Sequence, residues 1–280
     1  MRVLIIGNRS FIALRLRERL GKEHEVLLAG RTGDADVQFD LTATGAPPRE
    51  VPRCDAIIHC AASFEPNTPD GILRNELVNG VGALRVAELA TRIACGRIVH
   101  LSTVSVFNDD HGRLRDSYAL SKRHGQDNLQ LVCDAAGIEL CTLCPTAIYD
   151  ERGAGRHHQP LLYRIVDCAR RGEDFPLYGS ADPARNYLHV RDLAELVAGV
   201  MRAGVSGTFP VVFPRDYRIT EIAELAFAVF GTTGRIVRRP DMPDIPVVRY
   251  PRSRELFDRL GWVPALDLEA GFRLLRDHHG

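Results

Sequence analysis

The chain alternates short apolar runs with segments whose apolar residues recur every three or four positions, as far as about residue 143. The apolar runs are typical of buried parallel strands, and the spacing of three and four is typical of amphipathic helices. The predicted strands are RVLII, EVLLA, DVQFD, DAIIHC, GRIVHLS and IELCTL, and the predicted helices are SFIALRLRERL, NELVNGVGALRVAELATRI and SYALSKRHGQDNLQLVCDAAG. Alternating strands and helices form βαβ units, so the sequence predicts an α/β fold of the Rossmann type, with a doubly wound parallel sheet.

The pattern changes after residue 145, where glycine, proline, arginine and histidine cluster in TAIYDERGAGRHHQP and the later helices and strands are shorter. A chain of 280 residues suits one large α/β domain with an appended lobe. We therefore predict a cofactor-binding Rossmann domain at 1–145 and a smaller C-terminal α/β lobe at 146–280 that binds the substrate. In this prediction, segments of the C-terminal half can also return to the first domain.

Composition narrows the class of partner. Lys plus Arg and Asp plus Glu both number 36, so bulk charge favours a small molecule over nucleic acid or an anionic membrane surface. The apolar run at residues 3–6 is far too short for a signal peptide or a membrane span, and we expect a cytoplasmic protein. Seven scattered cysteines indicate reduced thiols. Cys141 and Cys144 fall in a predicted strand, where residues three apart point to opposite faces, so we expect no metal site.

The first predicted strand and helix are joined by GNRSFIA, residues 7–13. A phosphate-binding turn needs a tight backbone at its first glycine, close approach of the backbone to phosphate at its second, and close helix packing at its third. Gly7 meets the first need and Ala13 is an accepted variant at the third. Ser10 departs at the second, although a serine can cap the helix and donate to a phosphate oxygen. If the turn is considered by itself, the alternative is an apolar strand that is followed by a helix by chance and binds no cofactor. The residues assigned to the cofactor turn are Gly7, Asn8, Arg9, Ser10, Phe11 and Ile12.

The second predicted strand ends in LLAGRTGD. Sites that prefer NAD usually place an acidic residue here for the ribose 2′-hydroxyl, whereas an arginine accommodates the 2′-phosphate of NADP. Arg31 therefore favours NADP(H), with NAD(H) as the alternative cofactor, and Arg9 can add charge at the same phosphate. The competing interpretation is that both arginines are solvated loop side chains.

Candidate catalytic residues occur in DSYALSKRHG and in the strand end before it. Tyr118 and Lys122 are four apart in a predicted helix and so share one face. A nearby ammonium stabilises a phenolate, so we expect Lys122 to lower the pKa of Tyr118 and fit it for proton transfer. The fifth strand ends in HLSTVSVF, where Thr103 can hydrogen-bond a carbonyl or hydroxyl oxygen of a substrate. The carboxyl ends of parallel strands are where such sheets place their sites.

The order of these segments resembles the extended short-chain dehydrogenase/reductase superfamily, in particular the NAD-dependent epimerase/dehydratase family that acts on nucleotide sugars. The resemblance spans nearly the whole chain. Its motifs are GNRSFIA, FDL, DAIIHCAA, VNGVGALRVAELA, LSTVSVF, YALSK, LCPTAIY, ARNYLHVRDLAE and LGWVPALDLEAGF, of which YALSK and NYLHVRDLA are the most specific.

The resemblance implies roles for individual residues. Tyr118 would be the acid/base, Lys122 its electrostatic partner and a ribose ligand, and Thr103 the hydrogen-bonding partner of the substrate oxygen. Asn79 matches a helix asparagine that braces the strand beside the site. The further implied contacts are Asp40 and Leu41 at the adenine, Cys60, Ala61 and Ala62 along the pyrophosphate and nicotinamide ribose, Pro145 and Ile148 at the nicotinamide, and Ser63, Phe64, Thr103, Tyr149 and Arg185 at the substrate.

The sequence also departs from the family pattern. Ser10 replaces a glycine, Cys144 replaces the usual arginine, and the connection from Thr103 to Tyr118 is shorter than usual. Related 4,6-dehydratases carry an Asp-Glu pair directly after the threonine, because elimination of water needs further acid and base groups. Val104 and Ser105 stand there, which disfavours dehydration.

These features predict an NADPH-dependent reductase of a keto group on a nucleotide-linked 6-deoxy-4-keto sugar. The alternatives are a nucleotide-sugar epimerase, a reductase of a non-sugar ketone such as a polyketide or steroid, and a non-catalytic NADP-binding regulator. The retained Tyr118 and Lys122 favour catalysis over regulation. The resemblance also implies a homodimer, formed by the helices NELVNGVGALRVAELA and SYALSKRHGQDNLQLV.

Overall fold

The computed structural model describes residues 1–48, 50–108 and 116–279. These residues divide between two compact units that share the chain. Unit 1 comprises Met1–Pro145, Ala194–Val211 and Ser253–Gly261, and unit 2 comprises Thr146–Leu193, Val212–Arg252 and Trp262–Gly280. The first passage between them lies directly after Pro145, and two later segments return to unit 1.

Unit 1 is built on a seven-stranded sheet in which all neighbouring pairs are parallel. In spatial order its strands are β11 (Gly207–Val211), β6 (Glu139–Pro145), β5 (Arg97–Leu101), β4 (Ala56–His59), β1 (Arg2–Ile6), β2 (Glu25–Gly30) and β3 (Val37–Gln38). The predicted Rossmann-type sheet is thus confirmed. The third predicted strand, DVQFD, is reduced to two residues.

The helices of unit 1 follow the predicted pattern with one difference. They are α1 (Phe11–Leu20), α2 (Pro69–Asn75), α3 (Gly82–Arg92), α4 (Ser117–Ala136), α6 (Val190–Ala203, in unit 1 from Ala194) and α8 (Glu255–Leu260). The helix predicted over NELVNGVGALRVAELATRI begins earlier, at α2, and its middle is a π-helical segment, Glu76–Val81. A π-helical turn inserts an extra residue, and such turns often occur at functional sites.

The core of unit 1 lies between one face of the sheet and helices α3 and α4. Leu4, Ile57 and Ile98 of the strands are fully buried against Val86 of α3 and Leu129 of α4. Residues two apart in a strand share a face, so the residues that follow these along the strands on the same side are also covered by the helices. Side chains placed there are excluded from water.

Helix α4 lies very close to the π-helical segment, and a glycine permits this. A Cβ atom at Gly125 would lie 2.3 Å from the carbonyl oxygen of Asn79. At its start α4 is capped by Asp116, whose side chain accepts from the Tyr118 amide at 3.1 Å, and it ends at Gly137 in the left-handed conformation, with φ of 67°. These three residues fix where α4 begins, ends and touches its neighbour.

Among its described residues, unit 2 contains three two-stranded sheets and, besides the first turn of α6, three helices. The sheets pair β7 (Ala147–Tyr149) with β10 (Tyr187–His189) in parallel, β8 (Phe175–Tyr178) with β13 (Ile236–Arg239) in parallel, and β9 (Ala184–Arg185) with β12 (Tyr217–Arg218) in antiparallel orientation. The helices are α5 (Pro160–Arg171), α7 (Ile219–Phe230) and α9 (Leu268–His279). Asn186, fully buried, donates to the carbonyl oxygens of Phe213 and Arg215 and accepts from the Phe213 amide, which ties β9 and β10 to the segment after β11.

All seven cysteines are free and buried, and Cys141 and Cys144 lie in β6 as predicted. Among the residues that the structure describes, no group of three or more His, Cys, Asp or Glu side chains could hold a metal ion. Across the same residues, no helix has both the length and the apolar character needed to cross a membrane.

Candidate active site

The carboxyl ends of β1, β2, β4 and β5 all lie at one edge of the sheet, because these strands are parallel. Gly7 follows β1 with φ of +120°, a conformation that L-residues with side chains rarely adopt. A Cβ atom on Gly7 would lie 3.0 Å from the amide nitrogen of Ala61, in the loop after β4. Residue 7 therefore has to be a glycine, and the tight backbone that a phosphate-binding turn requires is present at the end of β1.

Ser10 is the N-cap of α1. Its hydroxyl oxygen accepts from the Ile12 amide at 3.2 Å, which leaves the hydroxyl proton to be donated outward. The serine that departs from the glycine pattern therefore satisfies one of the free amides of the helix start. The first turn of α1 reads FIAL and so carries no acidic side chain that would compete with an anionic ligand.

Asn8, assigned to the cofactor turn from sequence, has its side chain directed into the protein. The side chain is buried, and its amide donates to the Thr32 hydroxyl at 2.6 Å and to Asp34 Oδ1 at 3.0 Å. It thus ties the turn after β1 to the loop after β2. Arg9 is exposed, and its charge is among the causes that lower the pKa of Asp34, after the hydrogen bond from Thr32.

A surface pocket of about 340 Å³ lies beyond the ends of β2 and β3 and brings two of the predicted residues together. Arg31, Asp40 and Arg85 line it. Burial would raise the pKa of Asp40, but hydrogen bonds from Thr42 and the charge of Arg31 hold it below its usual value. Arg85 was missed from sequence, because it lies in α3, far along the chain from the turn and strand ends that signal a cofactor site.

Tyr118 and Thr103 meet at the end of β5. Thr103 accepts from the Ser105 amide at 3.2 Å and begins a short 3-10 turn, Val104–Phe107. Burial raises the pKa of Tyr118 to about 12, reinforced by the charge of Asp116, while the side chain of Thr103 lies near enough to the phenol to act in the other direction. The phenol is therefore protonated at neutral pH.

The expectation that Lys122 lowers the pKa of Tyr118 is wrong for this structure. The Lys122 ammonium is almost fully buried and donates to the carbonyl oxygen of Leu101 at 2.6 Å. Burial lowers the pKa of Lys122 to about 8. Of the 36 Lys and Arg residues, two are lysines, Lys22 and Lys122. Burial readily shifts the pKa of a lysine ammonium, whereas an arginine stays charged.

A pair of histidines, missed from sequence, lies on the sheet near Lys122. His59 of β4 and His100 of β5 are partners in register, fully buried, with stacked rings 5.0 Å apart. Burial, followed by the charge of Lys122, lowers the pKa of His59 to about 3 and that of His100 well below its usual value. Within the described part of the chain their ring nitrogens have no hydrogen-bond partner. Both imidazoles are neutral.

Asn79, in the π-helical segment, braces the loop after β4 as expected. Its side chain accepts from the Ser63 amide at 2.8 Å and donates to the Ser63 carbonyl at 2.9 Å and to the Ser121 hydroxyl at 2.9 Å. Ser63 is therefore buried, whereas the neighbouring Phe64 is 52% exposed and packs edge-on against the Tyr118 ring at 4.6 Å. A second buried asparagine, Asn75, was missed from sequence.

The other residues predicted in unit 1 lie around the same strand ends. Cys60 donates to the Ile6 carbonyl, and burial raises the pKa of its thiol to about 12, so it is an inert thiol. Leu41 packs against α3, where a Cβ on Gly82 would lie 3.0 Å from it. Phe11, Ile12 and Ala61 are half-buried, Ala62 is exposed, and Pro145 is the buried last residue of β6. Residues 109–115, in the short connection between Thr103 and Tyr118, lie outside the described residues.

The comparisons with known proteins agree with this arrangement. Residues 3–214 match the NAD dependent epimerase/dehydratase family. The chain belongs to that family.

Relatives within the family carry out different reactions. The chain is 25% identical to UDP-glucuronic acid decarboxylase 1 of Xenopus tropicalis, over 96% of this chain and 70% of that protein. It is 24% identical to dTDP-4-dehydro-6-deoxy-D-allose reductase of Streptomyces bikiniensis, over 86% of this chain and 85% of the relative. In fold it resembles the UDP-N-acetylglucosamine 4-epimerase of Bacillus cereus, with a TM-score of 0.83, 17% identity and coverage of 100% and 97% of the two chains. Other structures of this fold hold NAD or NADPH.

The NAD(P) cofactor of the family fits the residues present. Gly7 keeps side chains away from the end of β1, the start of α1 offers backbone amides and the Ser10 hydroxyl to phosphate, and Arg31 lines the pocket beyond β2. The family residues Tyr118 and Lys122 are both on α4, one turn apart.

Of the predicted residues of unit 2, one is placed differently from expectation. Ile148 is half-buried in β7. The expectation that Tyr149 lines a substrate pocket is wrong, because its side chain is fully buried, donates to the Asp267 carbonyl at 3.4 Å and packs so closely on α9 that a Cβ at Gly271 would overlap it. Arg185 donates to the carbonyl oxygens of Ala184 at 2.8 Å and Pro246 at 2.7 Å.

The buried Lys122 makes the stability of the cofactor-free protein depend on pH. Its pKa is about 8 in the folded protein against 10.5 when exposed, so the unfolded chain binds more protons between these values. Lys122 by itself makes the free energy of unfolding rise with pH through this window, whereas the buried thiols, whose pKa values are raised, act in the opposite direction. Lys122→Met removes the buried ammonium and should be more stable than the unaltered protein at pH 7, and this advantage should shrink as the pH rises through the window.

Urea unfolding of the cofactor-free protein across this pH range measures both effects. Lys22→Met, which removes the other, exposed lysine, is the matched control, and its difference from the unaltered protein should not change with pH. A Lys122→Met protein that is less stable at pH 7, by an amount that does not change with pH, would contradict the assignment of a costly buried charge.

Proposed function

We propose that this protein is an NADPH-dependent reductase of the keto group of a nucleotide-linked 6-deoxy-4-keto sugar. The observation that carries the proposal is the pair formed by Tyr118 and Thr103 at the end of β5. The Tyr118 phenol is protonated and lies near the Thr103 side chain, beside an exposed aromatic side chain, Phe64. A protonated phenol at neutral pH is suited to donate a proton, as ketone reduction requires.

In the proposed reaction the ketone oxygen of the substrate takes hydrogen bonds from the hydroxyls of Tyr118 and Thr103. NADPH, when bound, supplies the hydride that reduces the carbonyl carbon. Tyr118 gives its proton to the alkoxide oxygen that develops, and Thr103 stabilises the same oxygen. Lys122, one turn further along α4, would hold the ribose of the cofactor, and in the cofactor-free protein its ammonium donates to the Leu101 carbonyl oxygen.

Two features argue against dehydration and decarboxylation, two other reactions of the family. Dehydration needs a further acid and base beside the threonine, but Val104 and Val106 are buried apolar residues of the 3-10 turn. Decarboxylation of a sugar acid needs a site that accepts a carboxylate. The charge that acts on Tyr118 is that of Asp116, which would repel one. An uncharged 6-deoxy sugar meets neither difficulty.

The preference for NADPH rests on the pocket beyond β2 and β3. Two guanidinium groups, of Arg31 and Arg85, line it together with Asp40. A guanidinium forms paired, charge-assisted hydrogen bonds with phosphate, so this pocket suits the 2′-phosphate of NADPH. Free, buried thiols throughout the chain further support a reducing compartment, the cytoplasm.

Tyr118→Phe should lower turnover of a dTDP-linked 4-keto-6-deoxyhexose by about 10²- to 10⁴-fold, the usual contribution of a general acid. The affinity for NADPH should change by no more than about threefold, because the ring and its packing against Phe64 remain. Steady-state kinetics and fluorescence titration of NADPH measure the two effects. Equal loss of turnover and of NADPH affinity would count against the assigned role.

Arg31→Ala should weaken NADPH binding by about 10- to 100-fold, the equivalent of one lost charge-assisted interaction, and leave NADH binding nearly unchanged. Fluorescence titration of both nucleotides measures the preference. Arg53→Ala is the matched control, since Arg53 is exposed and precedes β4, at the opposite edge of the sheet. If the unaltered protein binds NADH as tightly as NADPH, the preference does not exist.

The proposed assembly is a homodimer through α2, the π-helical segment, α3 and α4. Four exposed apolar residues, Leu73, Leu77, Val81 and Leu84, recur every three or four positions along these elements. Val81 and Leu84 also line a surface hollow of about 570 Å³ with Val132 of α4. A contiguous apolar stripe of this kind is typical of an interface between helices, and a second copy of the chain offers the same stripe to it.

Val81→Glu should convert the dimer to a monomer, because it places a charge in the apolar stripe. Light scattering coupled to size-exclusion chromatography gives the mass in solution. Val247→Glu, at an isolated valine of unit 2 that is 74% exposed, is the control and should remain a dimer. If the unaltered protein is a monomer in solution, the proposed dimer is wrong.

A further inference from the structure

Asn75 makes the same set of contacts as Asn79, one helical turn earlier. Its side chain accepts from the Glu65 amide at 3.0 Å and donates to the Glu65 carbonyl at 3.0 Å and to the Ser117 hydroxyl at 2.9 Å. Asn79 contacts Ser63 and Ser121 in the same way. Both asparagines are at most 1% exposed. Two equivalent clamps therefore join the loop after β4 to α4.

The residues between the two clamps are those of the proposed chemistry. On the loop, Phe64 lies between the clamped Ser63 and Glu65. On α4, Tyr118 lies between the clamped Ser117 and Ser121. The two rings pack edge-to-face with centroids 4.6 Å apart. Each clamp thus holds one residue on either side of this aromatic pair.

A single clamp would not fix the pair. Asn79 alone holds the loop at one point, about which the following residues can still turn. A second point two residues further along determines the direction of the loop and therefore which way Phe64 projects. On α4, Ser117 is the first helical residue, where helices fray. Asp116 and Asn67 accept from backbone amides of this turn, and Asn75 is the residue that joins its Ser117 side chain to the loop after β4.

We propose that Asn75 is a positioning residue for Tyr118. Through Ser117 and the loop at Glu65 it keeps the Phe64 ring against the Tyr118 ring, which fixes the position of the phenol beside Thr103. The proposal rests on the proposed function, in which Tyr118 is the proton donor. It adds a residue that touches neither substrate nor cofactor and acts through the geometry of the two rings.

The test compares turnover per NADPH-binding site, with NADPH and a dTDP-linked 4-keto-6-deoxyhexose as the probes. Asn75→Ala should lower kcat per site by about 10- to 100-fold, the loss that a displacement of roughly 1 Å at a reacting group produces. A merely structural role would lower the number of binding sites and the total activity together and leave kcat per site unchanged. The matched control is Asn128→Ala. Asn128 also joins α4 to the π-helical segment, donating to the Gly80 carbonyl at 3.2 Å, but it lies nearly three turns beyond Tyr118.

Ser117→Ala removes only the contact between Asn75 and α4 and leaves both contacts with Glu65. It should lower kcat per site by itself, and adding it to Asn75→Ala should cost less than the two single losses combined. If Asn75→Ala does not fold, Ser117→Ala still decides the question. Values of kcat per site within twofold of the Asn128→Ala control for both variants would overturn the proposal.

Tyr118→Phe separates this proposal from the one on which it rests. If Tyr118→Phe turns over as fast as the unaltered protein, or if the unaltered protein does not reduce the probe, the proposed function fails and the role of Asn75 fails with it. If Tyr118→Phe is inactive while Asn75→Ala matches its control, only the role of Asn75 is wrong.

Discussion

The contact between α4 and the π-helical segment is the constraint on which the site depends. At Gly125 the backbone of α4 lies so close to the carbonyl of Asn79 that a residue with a side chain would not fit there. This approach places buried asparagines within reach of serines on α4 and of the loop after β4. The residues of the proposed chemistry, which come from distant parts of the chain, are thereby held in one arrangement.

Burial has opposite effects on the two titratable groups of the site, and both suit a reductase. It raises the pKa of the Tyr118 phenol to about 12 and lowers that of the Lys122 ammonium to about 8, since each shift favours the neutral form. Lys122 still carries most of its charge at neutral pH. The free protein therefore holds a protonated donor at Tyr118 and, one turn further along α4, a buried cation at Lys122.

Hydrophobic patterning predicted the sheet and its helices, because strands buried on both faces leave continuous apolar runs. The glycine spacing predicted the turn after β1, whose role in cofactor binding stays a prediction. It did not predict the π-helical segment, whose extra residue has no distinct sequence signature, or Asn75, whose importance depends on contacts with Glu65 and Ser117. The expected lowering of the Tyr118 pKa failed because residue spacing shows that Lys122 shares a helix face but not that its ammonium is bonded to Leu101. The prediction that Tyr149 lines a substrate pocket was wrong because the sequence around a tyrosine that follows a strand does not show whether its side chain is exposed or buried.

The most direct test of the central claim follows the transferred hydrogen. NADPH deuterated at its transferable position is incubated with a dTDP-linked 4-keto-6-deoxyhexose, and the product is analysed by mass spectrometry and NMR. The account predicts one deuterium, on the former carbonyl carbon, and one NADPH consumed for each product molecule. A product formed without consumption of NADPH, as an epimerase would give, or no reduction of the ketone, would contradict it.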